Sequence, residues 1–259
     1  MIKKIRDPWF PFNGAETAAP FRLFCFSHAG GSAMVFRPWQ KAMAPAIEVF
    51  PLQLPGRGGR AIEPLATRMP ELADMTAAAV AVYIDRPFAF FGHSMGGLLA
   101  FEVAHRLRAR LGVEPAHFFV SGRRAPHMPR TPDIHTLPYD ALVERLKEMK
   151  GTPAEVLEHP ELLELVVPIF RADVEVLETY EFPSRPPLKC PITAMGGLTD
   201  VDVKADHLEA WKQYSTGEFK LRMFEGDHFY LLQPGDRVIG TLKKDLMQYV
   251  AGPAVRQGV

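Results

Sequence analysis

Ser94 has the setting of a nucleophile. It lies in Phe88-Ala-Phe-Phe-Gly92-His93-Ser94-Met95-Gly96-Gly97, which places Gly-x-Ser-x-Gly at Gly92, Ser94 and Gly96. The spacing has a steric reason. A serine held in a sharp strand-to-helix turn brings the residues two before and two after it too close to backbone to carry side chains. A strand-like run precedes the motif and a helix-like run follows it. The start of that helix presents backbone N–H groups that favour a developing anion. A glycine-rich turn with an N-capping serine is the plainer alternative, and the flanking elements argue for the nucleophile. His93 is expected to pack or orient, because at a sharp elbow it points away from the serine hydroxyl.

A serine in such an elbow is followed along the chain first by an acid and then by a histidine. His228, in Phe224-Glu-Gly226-Asp227-His228-Phe-Tyr, meets that order and leaves a strand-like run through a loop that Gly226 lets turn tightly. The other histidines fit less well. His28 precedes Ser94, His93 abuts it, His105 sits in a helical run and His117 begins a strand. His127, His135 and His159 fall in or beside a helical insertion, and His207 is the remaining rival. For the acid, Ile192-Thr-Ala-Met-Gly-Gly-Leu-Thr-Asp200 is an apolar strand entering a glycine turn. From that end Asp200 can hold the histidine Nδ1–H and fix its tautomer. Asp202 is the chief alternative; Asp227 adjoins His228, and Asp206 reads as a helix-surface residue. A tetrahedral intermediate also needs two N–H donors. Met95 supplies one. Ala29 supplies the other from Ser27-His-Ala-Gly-Gly-Ser32, with Gly30 the alternative. That loop lacks the lysine of a phosphate-binding loop, so nucleotide binding is not expected.

Positioning these residues requires a particular framework. Strand candidates are Phe21–Ser27, Val49–Gln53, Phe88–Phe91, His117–Ser121, Ile192–Met195 and Lys220–Phe224. Most are apolar on both parities, as in strands covered on both faces. Helix candidates Phe36–Met43, Met69–Ile84 and Leu98–Leu111 lie between them. The alternation predicts an α/β class with a mostly parallel central sheet and helices on both faces; joined to the Gly-x-Ser-x-Gly elbow and the serine, acid, histidine order, it resembles the α/β-hydrolase fold. Residues 1–259 are expected to form a single domain. From about 126 to 187 the rhythm breaks into helices near Tyr139–Met149, Pro153–Val156 and Pro160–Leu177, with a turn at Thr131-Pro132-Asp133. This reads as a helical lid insertion, the plainer reading being a stabilising subdomain.

Composition narrows the partners. The chain has 259 residues, 47% hydrophobic, and its 30 basic and 30 acidic residues cancel. That balance argues against nucleic acid and against a polybasic membrane surface, while leaving room for a local patch facing an acidic protein. The first residues, MIKKIRDPWFPF, lack the apolar run of roughly 7–15 residues that a signal peptide needs. No run reaches the roughly 18 apolar residues of a membrane span. A cytoplasmic enzyme is expected. Cys25 and Cys190 show neither metal nor disulfide spacing, so no metal and no cofactor are expected.

Four blocks together carry a family resemblance. They are Phe26-Ser-His28-Ala29-Gly30-Gly31-Ser32 with Phe36 close behind, Gln53-Leu-Pro55-Gly56-Arg57, Gly92-His-Ser94-Met-Gly-Gly97, and Gly226-Asp-His228-Phe-Tyr. The chain resembles the type II thioesterases, the discrete editing enzymes that accompany polyketide synthases and nonribosomal peptide synthetases. The Leu-Pro-Gly-Arg block sets it apart from generic lipases. The resemblance implies removal of short or misprimed acyl groups from the phosphopantetheine arm of acyl or peptidyl carrier proteins. It implies attack by Ser94, an acyl-enzyme, and hydrolysis by water that His228 activates. A monomer is expected. Leu162, Leu163, Val166, Val167, Ile169 and Phe170 are candidates for one wall of an acyl pocket, or simply for packing. Arg57 and Arg60 are expected to be solvated, with pairing to acidic carrier residues as the alternative. A small-ester carboxylesterase or lipase, and a non-catalytic acyl-carrier binding protein, remain competing readings.

Overall fold

The computed structural model describes residues 7–13, 17–128, 133–233 and 237–250. Its centre follows from strands that are apolar on both sides. β1 (Phe21–Phe26) sends Phe24 and Phe26 into one core cluster and Phe21, Leu23 and Cys25 into the other. β3 (Phe88–His93) repeats the split, with Phe88 and Phe90 on one face and Ala89 and Phe91 on the opposite one. Such strands are stable only when helices cover both faces. α2 (Met69–Ala81) and α3 (Met95–Leu111) cover the face of Phe24 and Phe90. α1 (Arg37–Met43) and α8 (Arg237–Val250) cover the face of Leu23 and Phe91.

With β2 (Ile47–Pro51), β4 (His117–Ser121), β5 (Ile192–Gly197) and β6 (Phe219–Phe224), the sheet runs β2-β1-β3-β4-β5-β6, all neighbours parallel. The chain steps outward from β1 to β2, then crosses back to place β3 on the other side of β1. The loops after β1 and β3 therefore part in opposite directions and leave a crevice at the carboxyl end of the sheet.

Between β4 and β5 lie α4 (Tyr139–Glu148), α5 (Ala154–Leu157) and α6 (Pro160–Glu178). Leu142, Leu146, Leu163, Val167 and Phe170 give this insertion a small apolar cluster of its own. A short helix, α7 (Ala205–Glu209), follows β5. The expected elements lie close to the observed ones, with one instructive difference. β3 continues to His93 and α3 begins at Met95, three residues earlier than expected. Gly96 and Gly97 weaken the helical signal, yet close contact requires small residues there. Thr131 and Pro132 of the expected turn lie outside the described residues.

Candidate active site

Ser94 occupies the junction of β3 and α3 with φ 54° and ψ −116°, a left-handed-side conformation that L residues seldom adopt. The neighbouring glycines explain how the chain turns so sharply. A Cβ on Gly92 would fall 2.3 Å from the Gly96 carbonyl oxygen, and a Cβ on Gly96 would fall 2.2 Å from that of Phe26. Any side chain at either position would wedge β1, β3 and α3 apart. The Ser94 N–H donates to the Ser121 carbonyl at 2.8 Å, which fastens the elbow to the end of β4. Met95 is buried in the first turn of α3, where a backbone N–H has no acceptor within the helix.

His228 Nδ1 lies 2.7 Å from Asp200 Oδ2. Asp200 is 1% exposed, and its other oxygen accepts the N–H groups of Asp202 at 2.9 Å and Val203 at 3.0 Å. Burial alone would raise this carboxyl's pKa. The hydrogen bond and charge of His228, with the two backbone donors, outweigh burial and hold it below its ordinary value. The alternative acids face elsewhere: the Asp202 side chain is exposed, and Asp227 Oδ1 accepts the Phe229 N–H. His207 turns Nδ1 back to the Lys204 N–H at the start of α7. The His228 ring rests on the loop after β4, its Cε1 only 3.2 Å from where a Gly122 Cβ would sit. Ser94 and His228 thus lie against the same β4 terminus.

Two further histidines crowd the site. His93 and His228 have ring centroids 5.0 Å apart, and His28 and His93 6.0 Å. Burial first, then the charge of His228, drives His28 down to about 4 and lowers His93 well below its usual range. Both are therefore neutral near pH 7. His93 Nδ1 is 2.8 Å from Ser121 Oγ, which is 2.6 Å from the Tyr230 hydroxyl. This chain latches the residue before Ser94 to the residue two beyond His228. It agrees with an orienting role for His93, and Ser121 and Tyr230 were not singled out in the sequence.

The loop after β1 closes as a turn in which the Gly31 N–H donates to the His28 carbonyl at 2.9 Å, with Gly30 at φ +76°. The Gly30 N–H donates to Asp173 Oδ2 on α6 at 2.7 Å. Both glycine amides are thus committed within the protein, leaving Ala29 as the loop's candidate donor. Arg57 and Arg60 correct the expectation of solvated cations. Arg57 is 6% exposed and forks onto Asp173 through Nη1 at 2.6 Å and Nη2 at 2.7 Å. Arg60 is 5% exposed, pairs with Glu63, and stacks 3.8 Å from the Trp9 ring centroid. Neither guanidinium is presented to a partner. The sequence signal for Asp173 is an acid set within the apolar stripe of α6.

A cavity of ≈ 430 Å³ opens between this loop and the insertion, lined by His28, Met34, Leu146, Val156, Val166, Phe170 and Phe229 among others. Of the six apolar α6 candidates, Val166 and Phe170 line it, while Leu163 and Val167 pack within the insertion. A larger cavity of ≈ 590 Å³ lies at the β2 edge, around Phe12, Pro20 and Ala46, away from every candidate catalytic residue. Asp133, His135 and Glu178 bring ligand-type atoms within 4.8 Å of one another. The Glu178 oxygens already receive the backbone N–H groups of Ile134 and His135, an arrangement that anchors the segment entering α4. Among the described residues, no helix is long and apolar enough to cross a membrane.

A family model for a thioesterase domain matches residues 21–246. The chain is 39% identical to the gramicidin S biosynthesis protein GrsT of Aneurinibacillus migulanus, over 95% of this chain and 96% of that one. Among solved structures it is similar to the RedJ thioesterase from the prodiginine biosynthetic pathway of Streptomyces coelicolor, with a TM-score of 0.84, 40% identity and 92% of each chain covered. It is also similar to the type II thioesterase BorB from the borrelidin biosynthetic cluster, with a TM-score of 0.83 and 36% identity over 90% of this chain and 94% of that one.

Proposed function

This chain belongs to the thioesterase family, and on that premise we propose that it clears acyl groups from the phosphopantetheine arms of carrier proteins. The role is the editing one of type II thioesterases, serving polyketide synthases and nonribosomal peptide synthetases by releasing short or aberrant acyl units. The observation that carries the reading is a strained serine and a 2.7 Å histidine–carboxylate pair against one strand terminus, beside an apolar cavity. A lipase or esterase would share the first two features. The type II resemblance of the four sequence blocks favours a thioester.

In the proposed mechanism Asp200 stays ionised, accepts the His228 Nδ1–H and leaves Nε2 free to take a proton. Ser94 Oγ attacks the thioester carbonyl carbon while its proton passes to Nε2. The carbonyl oxygen becomes an oxyanion facing the N–H groups of Ala29 and Met95. The C–S bond then breaks, and the proton on Nε2 passes to the departing pantetheine sulfur. Water, deprotonated by His228, attacks the acyl-enzyme and releases a carboxylic acid, restoring Ser94. The chain's own residues and water account for every proton in this sequence.

The same reading takes the chain as a single domain over 1–259, monomeric and cytoplasmic, with residues of about 126–187 forming a lid over the cavity. The test is hydrolysis of one short acyl group presented on a carrier protein, on free coenzyme A and as a matched oxygen ester. Fastest release from the carrier is expected. Release from coenzyme A at an equal or higher rate would remove the editing role and leave a general thioesterase. A strong preference for the oxygen ester would make the enzyme an esterase.

A further inference from the structure

We propose that Asp173 is a positioning residue through which the insertion helix α6 sets the geometry of the oxyanion loop. The proposal rests on the reading above, in which the Ala29 N–H faces the developing oxyanion.

Asp173 joins three segments distant in sequence. Its Oδ2 accepts the Gly30 N–H at 2.7 Å and Arg57 Nη1 at 2.6 Å, and its Oδ1 accepts Arg57 Nη2 at 2.7 Å. Arg57 Nη1 also donates to the Gly31 carbonyl at 3.2 Å, and its Nε donates to the Pro55 carbonyl at 3.3 Å. The carboxylate thus holds the N–H of Gly30 while its guanidinium partner holds the C=O of Gly31. The first group belongs to the peptide that follows Ala29 and the second to the peptide that follows Gly31.

The turn geometry shows why this matters. A His28–Gly31 turn with φ +76° at its third residue has the mark of a type II turn. Type I differs from type II by a flip of the central peptide, here Ala29–Gly30. The acceptor that holds the Gly30 N–H in the type II orientation is Asp173. Without it, the peptide next to the Ala29 donor can reorient.

Stability gives a poor account of this ion pair. Asp173 is 1% exposed and Arg57 6%. Removing two charges from water is costly, and apolar residues of similar volume often serve stability equally well or better. What a bidentate Arg–carboxylate pair adds is a fixed planar geometry. Its location fits that purpose, since Phe170, one turn before Asp173, lines the cavity beside the same loop. Movement of α6 away from the sheet would withdraw the carboxylate from Gly30. The oxyanion donor is therefore in place only when the insertion is seated.

The test compares Asp173→Asn with wild type and with Ser94→Ala, counting active sites by fluorophosphonate titration. Asparagine keeps the shape but sets an N–H₂ donor against donors. On a short acyl-pantetheine thioester, kcat per titrated site is expected to fall about 10- to 100-fold, approaching the loss of one oxyanion donor, with KM nearly unchanged. Affinity for a trifluoromethyl ketone analogue, which forms a tetrahedral adduct on Ser94, should fall by the same factor. A merely structural role would lower the number of titrated sites and leave kcat per site intact. Wild-type kcat per site, or reduced kcat with undiminished ketone affinity, would overturn the proposal. If Asp173→Asn does not fold, Asp173→Glu keeps the charge but displaces the carboxylate from the Gly30 N–H and carries the same outcomes. Turnover by Ser94→Ala at the wild-type rate would instead remove the underlying serine mechanism.

Discussion

Ser94 sits in a backbone conformation that costs an ordinary residue about 1–3 kcal/mol, and the packing around it must supply that energy. The elbow should therefore tolerate loss of the hydroxyl far better than growth of its neighbours. Ser94→Ala is expected to fold, to bind acylated carrier in calorimetry, and to lose about 10⁴-fold or more in turnover. Gly96→Ala sets a Cβ 2.2 Å from the Phe26 carbonyl oxygen, so a lower thermal midpoint should accompany its loss of activity. The acid can be tested by contrast. Asp200→Asn leaves the shape but favours the wrong histidine tautomer, and kcat is expected to drop by about 10³–10⁴. Asp202→Asn, on an exposed side chain, should stay near wild type; equal losses in the two would undo the assignment. Ser94, Asp200 and His228 are legible as candidates because short-range spacing and chain order both constrain them, and the fold brings the last two within 2.7 Å of each other. The Arg57–Asp173 fork spans 116 residues, and the Ser121–Tyr230 bond spans 109. No local spacing announces either. His93 drew attention only through its neighbour.

At the scale of elements, the sheet was readable because apolar residues on both parities leave few alternatives to a doubly covered parallel strand. Boundaries moved where glycine serves contact and not conformation, as at the start of α3. The insertion was readable as helical, but its seating was not, since that depends on residues drawn from three loops. Its attachment is uneven. α4 and the first half of α6 share a small cluster of their own around Leu142, Leu163 and Val167. The later half of α6 is held by the Asp173 fork, by Arg68 to Glu175 and by Glu178 to the backbone of Ile134. Gly151 rests against the Phe229 ring so closely that a Cβ would fall 2.3 Å from it. Amide exchange should follow this anatomy: fastest in α4 and α5, intermediate in early α6, slow near Asp173, and slowest in β1 and β3. Sheet-level protection throughout α4–α6 would argue against an opening insertion.

Across the whole molecule, charge balance leaves acid sensitivity to a few buried groups. His28 and His117 are pushed down to about 4 and His105 to about 3, in each case chiefly by burial. The unfolded chain takes up protons at these sites from about pH 6.5 downward, whereas the folded chain does so only near the depressed values. Stability conferred by keeping them neutral is therefore complete above about pH 7 and drains away as pH falls toward 4. Asp200 acts in a later window. Its carboxyl is held below the ordinary value, so its contribution persists until pH falls below the usual carboxylate range. Unfolding free energies from denaturant titrations should thus hold level above about pH 7 and fall from there to pH 5, at about 1.4 kcal/mol for each unit of depression traversed per histidine. His117 isolates the effect. It bonds Thr193 at 2.8 Å and Tyr249 at 3.1 Å, on β4 and remote from Ser94 in the chain. His117→Gln should flatten the slope between pH 6.5 and 5 while leaving the pH profile of kcat unchanged. A slope as steep as wild type would place the acid sensitivity elsewhere. A shifted kcat profile would mean that the two ends of β4 are coupled.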